Sequence, residues 1–186
     1  MAETIKAEAR RIREGFFDRF CQGKGIDIGC GSPKGPNPVD VLRGVIDTWD
    51  IEQGDATFML GVPDDHYDFA YSSHLIEHLD RPDIAVQNWL RIVKPGGFLI
   101  LFGPHRDRYE RRTTLPSRFN GDHRTFWLPD RSEPPCTLGL VPCVGQWLNG
   151  KAEFVYCKTC DEGWAPCPPE VHAAGEYSIE AVWRKL

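Results

Sequence analysis

Residues able to do chemistry cluster in a few stretches of the chain. Gly25-Ile26-Asp27-Ile28-Gly29-Cys30-Gly31 joins a short β-branched strand to a glycine turn. Glycines there can take backbone angles closed to other residues and let a ligand lie against the main chain. A phosphate cradle would need a Lys-Ser/Thr pair after the turn, and a dinucleotide site a third glycine. Ser32-Pro33-Lys34 supplies neither. Acids follow at Asp47, Asp50, Glu52 and Asp55. His74-Leu75-Ile76-Glu77-His78 spells H-x-x-E-H. On a helix, its two histidines could hold zinc with Glu77 as base. His105, Asp107, Tyr109, Glu110, Asn120 and His123 populate the polar stretch from Gly103 to Trp127. Histidine, with a pKa near neutrality, suits proton removal from an acceptor. Cys157-Lys158-Thr159-Cys160 is a C-x-x-C pair, and Cys136, Cys143 and Cys167 could add ligands. A closed zinc site needs about four.

These groups need a scaffold. Ile5, Ala9, Ile12, Phe16 and Phe20 recur at helical spacing and predict one amphipathic helix over residues 4–20. The prolines at 33, 36 and 38 forbid a long helix after the glycine turn, leaving room for a short one near Val39 to Leu42. Gly44 to Asp47 reads as the second strand and Thr57 to Leu60 as a short third. Tyr67 to Ser73 reads as the next, with His74 at its carboxyl end. Asp80-Arg81-Pro82-Asp83 begins a helix, with the acid as cap and proline in its first turn. Its stripe is Val86, Trp89, Leu90 and Val93, and Lys94-Pro95-Gly96-Gly97 stops it. Phe98 to Phe102 is apolar throughout, as a central parallel strand should be. Ala152 to Lys158 and Tyr177 to Arg184 read as an antiparallel pair at the end of the sheet.

The predicted fold is α/β: a Rossmann-like, mostly parallel sheet with one antiparallel strand, helices on both faces and shortened early connections. Ligands in such sheets bind beyond the carboxyl ends of the strands. The chain, 186 residues long, is expected to form one domain, residues 1–186, with an N-terminal helix in 1–22 and a divergent part in 129–186. A net charge of −5 argues against gripping nucleic-acid phosphates. No apolar run approaches a membrane span, and the charged N-terminus is no signal peptide. The seven cysteines are read as mainly reduced thiols in a cytoplasmic protein.

The order of these motifs resembles the class I S-adenosylmethionine-dependent methyltransferases. Gly25 to Gly31 is similar to the first cofactor motif, Asp47 to the acid after the second strand, and Gly54-Asp55-Ala56 to the segment at the adenine. Ser72 to Leu79 followed by Arg91 to Gly97 resembles the paired S-x-x-x-x-E-H-L and R-x-x-K-P-G-G of the small-molecule branch. The resemblance implies S-adenosyl-L-methionine as cofactor, held by Asp27, Gly29, Cys30, Gly31, Asp47, Asp50, Asp55, Ala56, Ser72 and His74. The glycines would lie against the methionyl group. Asp47, or Asp50 in its place, would accept the ribose hydroxyls, and Asp55 with the Ala56 N–H would read the adenine. The implied reaction is methyl transfer to an oxygen or nitrogen of a small-molecule or glycan-like acceptor. His74, His105 and His123 are the candidate bases, His105 slightly ahead, and no metal ligand is assigned. A degenerate, non-catalytic scaffold of the same fold is the alternative, and an H-x-x-E-H zinc hydrolase a lesser one.

Overall fold

A computed structural model describes residues 3–31 and 45–186. The expected short helix near Val39 to Leu42, and the prolines before it, lie outside the described residues. Six strands form the main sheet: β1 (Lys24–Ile28), β2 (Val45–Trp49), β3 (Tyr67–Ser73), β4 (Val93–Pro104), β7 (Ala152–Cys160) and β8 (Ser178–Lys185). Their order is β2-β1-β3-β4-β8-β7. β2, β1, β3 and β4 are mutually parallel, and β8 runs antiparallel to both β4 and β7. Two short strands, β5 (Phe126–Leu128) and β6 (Thr137–Gly139), pair in parallel beside it.

The period-2 alternation of the strands builds two cores. Ile26, Ile28, Ala70, Leu99, Leu101, Ile179 and Trp183 face α3 (Pro82–Arg91) and α4 (Leu140–Leu148). Phe69, Tyr71, Ile100, Phe102 and Val182 face α1 (Glu3–Arg13) and α2 (Phe16–Phe20). Fully burying one such side chain contributes roughly 1.5–3 kcal/mol.

Several expectations are corrected. The N-terminal helix is two helices, broken at Gly15, whose φ is 65°. Its inward face is also reversed along α1. Ala9 is exposed and Ile12 is 48% exposed, whereas Thr4, Ala7, Arg10 and Arg11 are buried. The cause is Glu180 on β8, fully buried, which accepts from Arg11 Nε at 2.7 Å and Arg10 Nη1 at 3.2 Å. Arg10 also reaches Glu176 at 3.0 Å.

Thr57 to Leu60 forms turns rather than a third strand. The carbonyls that a strand would pair are taken by side chains of α3: Trp89 Nε1 donates to Ala56, Asn88 to Thr57, and Arg91 to Met59 and Val62. Arg81, not Asp80, occupies the cap position of α3, with Pro82 following it. Lys94 to Gly97 enters β4 through an irregular register against β3. A Cβ at Gly97 would stand 2.4 Å from the Asp68 carbonyl oxygen, so this crossing requires glycine. The helix α4 was not anticipated.

Candidate functional site

Two features shape the carboxyl edge of the parallel strands. Beyond β1, Gly29 (φ 78°) and Gly31 (φ 81°) turn the chain back, and the Gly29 N–H donates to the Trp49 carbonyl at 2.8 Å. Beyond β2, Asp50 accepts the Gly31 N–H at 2.7 Å, which ties the two strand ends together. Gly29, Asp50, Ile51, Gly54, Asp55, Ala56, Leu75 and Leu79 line a cleft of about 450 Å³.

Of the residues assigned to the cofactor, Gly29, Asp50, Asp55 and Ala56 converge on this cleft. Asp47 does not. It lies mid-strand in β2, opposite Ile26, and is engaged by Lys24 Nζ at 3.0 Å and the Tyr67 hydroxyl at 2.9 Å. The strand runs two residues past Asp47, so the acid at its carboxyl end is Asp50.

Asp27 is buried on the α1 side with one carboxylate oxygen lacking any hydrogen-bond partner. Burial pushes its carboxyl up to about 7, Arg11 pulls against this, and Asp50 adds to it. Burial likewise pushes the Cys30 thiol up to about 11, so it stays protonated. Ser72 is buried with its hydroxyl oxygen unpartnered.

The second feature follows β3. His74 sits in the left-handed region (φ 52°), with its N–H donating to the Phe102 carbonyl at 2.7 Å. A non-glycine residue held there costs about 1–3 kcal/mol and is a common mark of a functional turn. A 3₁₀ turn, Ile76–His78, follows directly. His74 and His78 are therefore not stacked on one helix, as the peptidase reading of H-x-x-E-H requires. Glu77 is fully buried, and neither of its carboxylate oxygens has a hydrogen-bond partner.

Imidazoles surround Glu77. From its Oε1, His74 Nδ1 stands at 3.5 Å and the Nε2 atoms of His78 and His123 both at 3.9 Å. Burial pushes the Glu77 carboxyl up, but these imidazoles outweigh it and hold it below its ordinary value. His123 comes from the polar loop and is fixed by Glu110, 2.5 Å from its Nδ1.

His105 is brought elsewhere. Its Nδ1 accepts the Asp107 N–H at 3.1 Å, and burial holds its pKa below the ordinary value. It lines a separate cavity of about 730 Å³ with Asp107, Arg108, Asp130, Arg131 and Lys158. The structure thus groups His74 and His123 and sets His105 apart. The sequence names Glu77 in the H-x-x-E-H reading and Glu110 in the polar stretch, but not their burial around His123, which no motif reveals.

Cys157 and Cys160 do not converge. Spaced by three on β7, they point to opposite faces of the sheet, Cys157 toward the α3–α4 core and Cys160 toward the α1–α2 core. All seven cysteines are free thiols. Among the described residues no helix is long and apolar enough to cross a membrane.

The strand order and the cleft beyond β1 and β2 define a Rossmann-like α/β fold of the methyltransferase kind. Residues 32–101, which carry Asp50, Asp55 and the Glu77 turn, match the family profile described as a methyltransferase domain. Among solved structures, the chain is similar to a methyltransferase candidate from Bacillus halodurans C-125. The TM-score is 0.62 at 12% identity, covering 96% of this chain and 98% of that one. It is similar to an S-adenosylmethionine-dependent methyltransferase from Archaeoglobus fulgidus, with a TM-score of 0.56 at 14% identity over 98% and 94% of the two chains. A third, an S-adenosylmethionine-dependent methyltransferase from Thermotoga maritima, gives 0.52 at 20% identity over 97% and 99%. No curated protein sequence matches the chain. The family match spans 70 of the 186 residues, and the solved structures show a shared fold, two of them being described as dependent on S-adenosylmethionine.

The residues present fit that group. The unpartnered oxygen of Asp27 is an acceptor for an ammonium. A Cβ at Gly31 would meet nothing within 4 Å, which leaves the turn open on its outer side. Ile51, 87% exposed on the cleft wall, offers apolar surface for a base to cover.

Proposed function

We propose that the protein transfers a methyl group from S-adenosylmethionine to an oxygen or nitrogen of a small-molecule or glycan-like acceptor. Asp50 accepts the ribose hydroxyls, Asp55 and Ala56 meet the adenine, Ile51 covers its face, and Gly29 to Gly31 with Asp27 hold the methionyl end. Ser72 and His74 close the site at the end of β3. The observation that carries the reading is one juxtaposition at the sheet's carboxyl edge. The turn bearing Glu77 and His78 is flanked by Leu75 and Leu79, which themselves line the cleft.

The sulfonium is an activated donor, so the protein's work is to align the acceptor and exclude water. His74 is the proposed base, because it stands at the strand end beside the cleft. His123, fixed by Glu110, shapes the same region.

The test couples calorimetry of S-adenosylmethionine binding with release of S-adenosylhomocysteine across polyhydroxylated and aromatic acceptors. Binding with turnover is expected, and His74→Ala should lower kcat by about 10²–10⁴ while cofactor affinity holds. Binding without turnover on any acceptor would favour the scaffold alternative. No binding at millimolar cofactor would sink the reading.

A further inference from the structure

We infer that Glu77, His78 and His123 form a site for a divalent transition-metal ion beside the cofactor cleft. One carboxylate oxygen and one imidazole nitrogen from each histidine lie within 4.8 Å of one another. This is the donor set, two histidines and a carboxylate, that leaves open positions on zinc and its first-row neighbours. Bonds of about 2.1 Å in tetrahedral array set ligand atoms about 3.4 Å apart. The two Nε2 atoms stand 3.9 Å from Glu77 Oε1 and all three donors lie within 4.8 Å, so closing the site draws them together by about 0.5 Å toward Glu77 and by at most about 1.4 Å between the imidazoles.

Three further observations point to an ion rather than to ordinary packing. Glu77 is fully buried, and both its oxygens lack hydrogen-bond partners, which is costly for a carboxylate unless a cation meets it. Next, Glu110, 1% exposed, lies 2.5 Å from His123 Nδ1. A histidine that donates one ring N–H to a carboxylate presents its other nitrogen as a lone pair, the arrangement that orients metal-bound imidazoles. That other nitrogen, Nε2, is the one facing Glu77. Finally, Glu77 and Glu110 set two carboxylates around the paired histidines, a donor arrangement that a divalent ion matches.

The donors hold together without the ion. The backbone N–H groups of Arg124 and Thr125 donate to the Glu77 carbonyl at 2.7 and 3.2 Å, which docks the His123 loop on the Glu77 turn. The His78 and His123 rings meet edge to face at 4.7 Å. Imidazole donors favour zinc, iron, cobalt or nickel over magnesium and calcium, which prefer all-oxygen shells. If the methyl-transfer reading holds, on which this one role rests, the ion's open side holds the acceptor oxygen.

The test uses the full chain, free of any histidine tag and stripped with chelator, and adds Co²⁺ or Zn²⁺ alone. One equivalent of Co²⁺ should bind at micromolar concentration or tighter, with a visible d–d absorption that Zn²⁺ displaces and Mg²⁺ does not. His123→Ala and Glu77→Gln should abolish the band. Glu110→Gln, which leaves every donor in place, should weaken Co²⁺ binding 10–100-fold. Cys157→Ser should change nothing. Absence of stoichiometric Co²⁺ and Zn²⁺ binding by the folded wild-type chain would overturn the site, as would a band that survives His123→Ala. Cofactor calorimetry on the same stripped chain separates this failure from failure of the methyl-transfer reading.

Discussion

At the scale of single residues, the main question is which acid meets the ribose. The sequence places Asp47 and Asp50 three apart, and local pattern cannot choose between them. In the proposed site the strand end favours Asp50. Asp47 is spent on Lys24 and Tyr67, with its carboxyl held below the ordinary range by both against a burial effect of opposite sign. Asp50 lines the cleft and keeps hydrogen bonds to the Gly31 and Ile51 N–H groups at 2.7 and 2.8 Å. A charged acceptor contributes roughly 1.5–3 kcal/mol per hydrogen bond. Asp50→Ala should therefore weaken S-adenosylmethionine binding by on the order of a hundredfold. Asp47→Ala should move affinity by less than about threefold and cost stability instead. Calorimetry on both variants measures this directly, and the reverse ranking would return the role to Asp47. The glycine turn, the acids and the E-H pair were all legible because each motif is short and contiguous. The convergence of His123 on Glu77 was not, since it depends on how a long irregular loop folds back over the 3₁₀ turn.

At the scale of elements, β1, β3, β4 and β8 follow from β-branched and aromatic runs, because a strand buried on both faces leaves little choice of residue, and the half-exposed edge strand β7 follows from its alternation. Helix α1 shows where such reasoning stops. Its spacing predicts an inward stripe of Ile5, Ala9 and Ile12, yet only Ile5 packs on the core and the helix turns Arg10 and Arg11 inward to a glutamate more than a hundred residues away. No local periodicity contains that partner. Arg11 is wholly enclosed by the rings of Phe16, Tyr71 and Phe102, at 4.7, 5.2 and 4.5 Å, and by Glu180. Stranding a buried charge costs about 3–5 kcal/mol, but without Arg11 the Glu180 carboxylate keeps Arg10 and the Tyr156 hydroxyl, so the loss is at the lower end, about 3 kcal/mol. Arg11→Met should lower the unfolding free energy by that amount in urea titration. Arg13→Ala, which breaks only the exposed pair with Glu162, should cost less than about 1 kcal/mol. Equal effects would show that α1 is held by its apolar contacts alone. The small β5–β6 pair and α4 were illegible for a different reason. Proline, glycine and cysteine are dense there, and the elements are placed by partners outside their own pattern, α4 by α3 and β7 and the β5–β6 pair by β4 and α4.

At the scale of the whole molecule, two buried carboxylates on the α1 side of the sheet contribute opposite dependences on pH. Burial pushes Glu180 up, but Arg11 and Arg10 outweigh it and hold it below its ordinary value. Its stabilising contribution is present above an unfolded pKa of roughly 4.3 and is lost as pH falls. Asp27 acts with the opposite sign. Its folded pKa is raised to about 7, against 3.8 for the free side chain. Between those values the unfolded chain releases the proton and the folded chain keeps it. Stability therefore declines as pH rises through that window, by about 1.4 kcal/mol per unit and up to about 4 kcal/mol in all. Asp27→Asn should remove the decline. Its melting temperature should exceed the wild type's by several degrees at pH 8 and approach it near pH 4.5, read by calorimetric scans across pH. The same carboxyl couples stability to ligand. A methionyl ammonium beside Asp27 favours its ionised form, so S-adenosylmethionine binding below pH 7 should release a proton. Titration in two buffers of different ionisation enthalpy measures that proton. Affinity should rise with pH until about 7 and then level off. A binding heat independent of buffer, with affinity flat from pH 5.5 to 8, would place the ammonium away from Asp27 and reduce that residue to a buried strand acid.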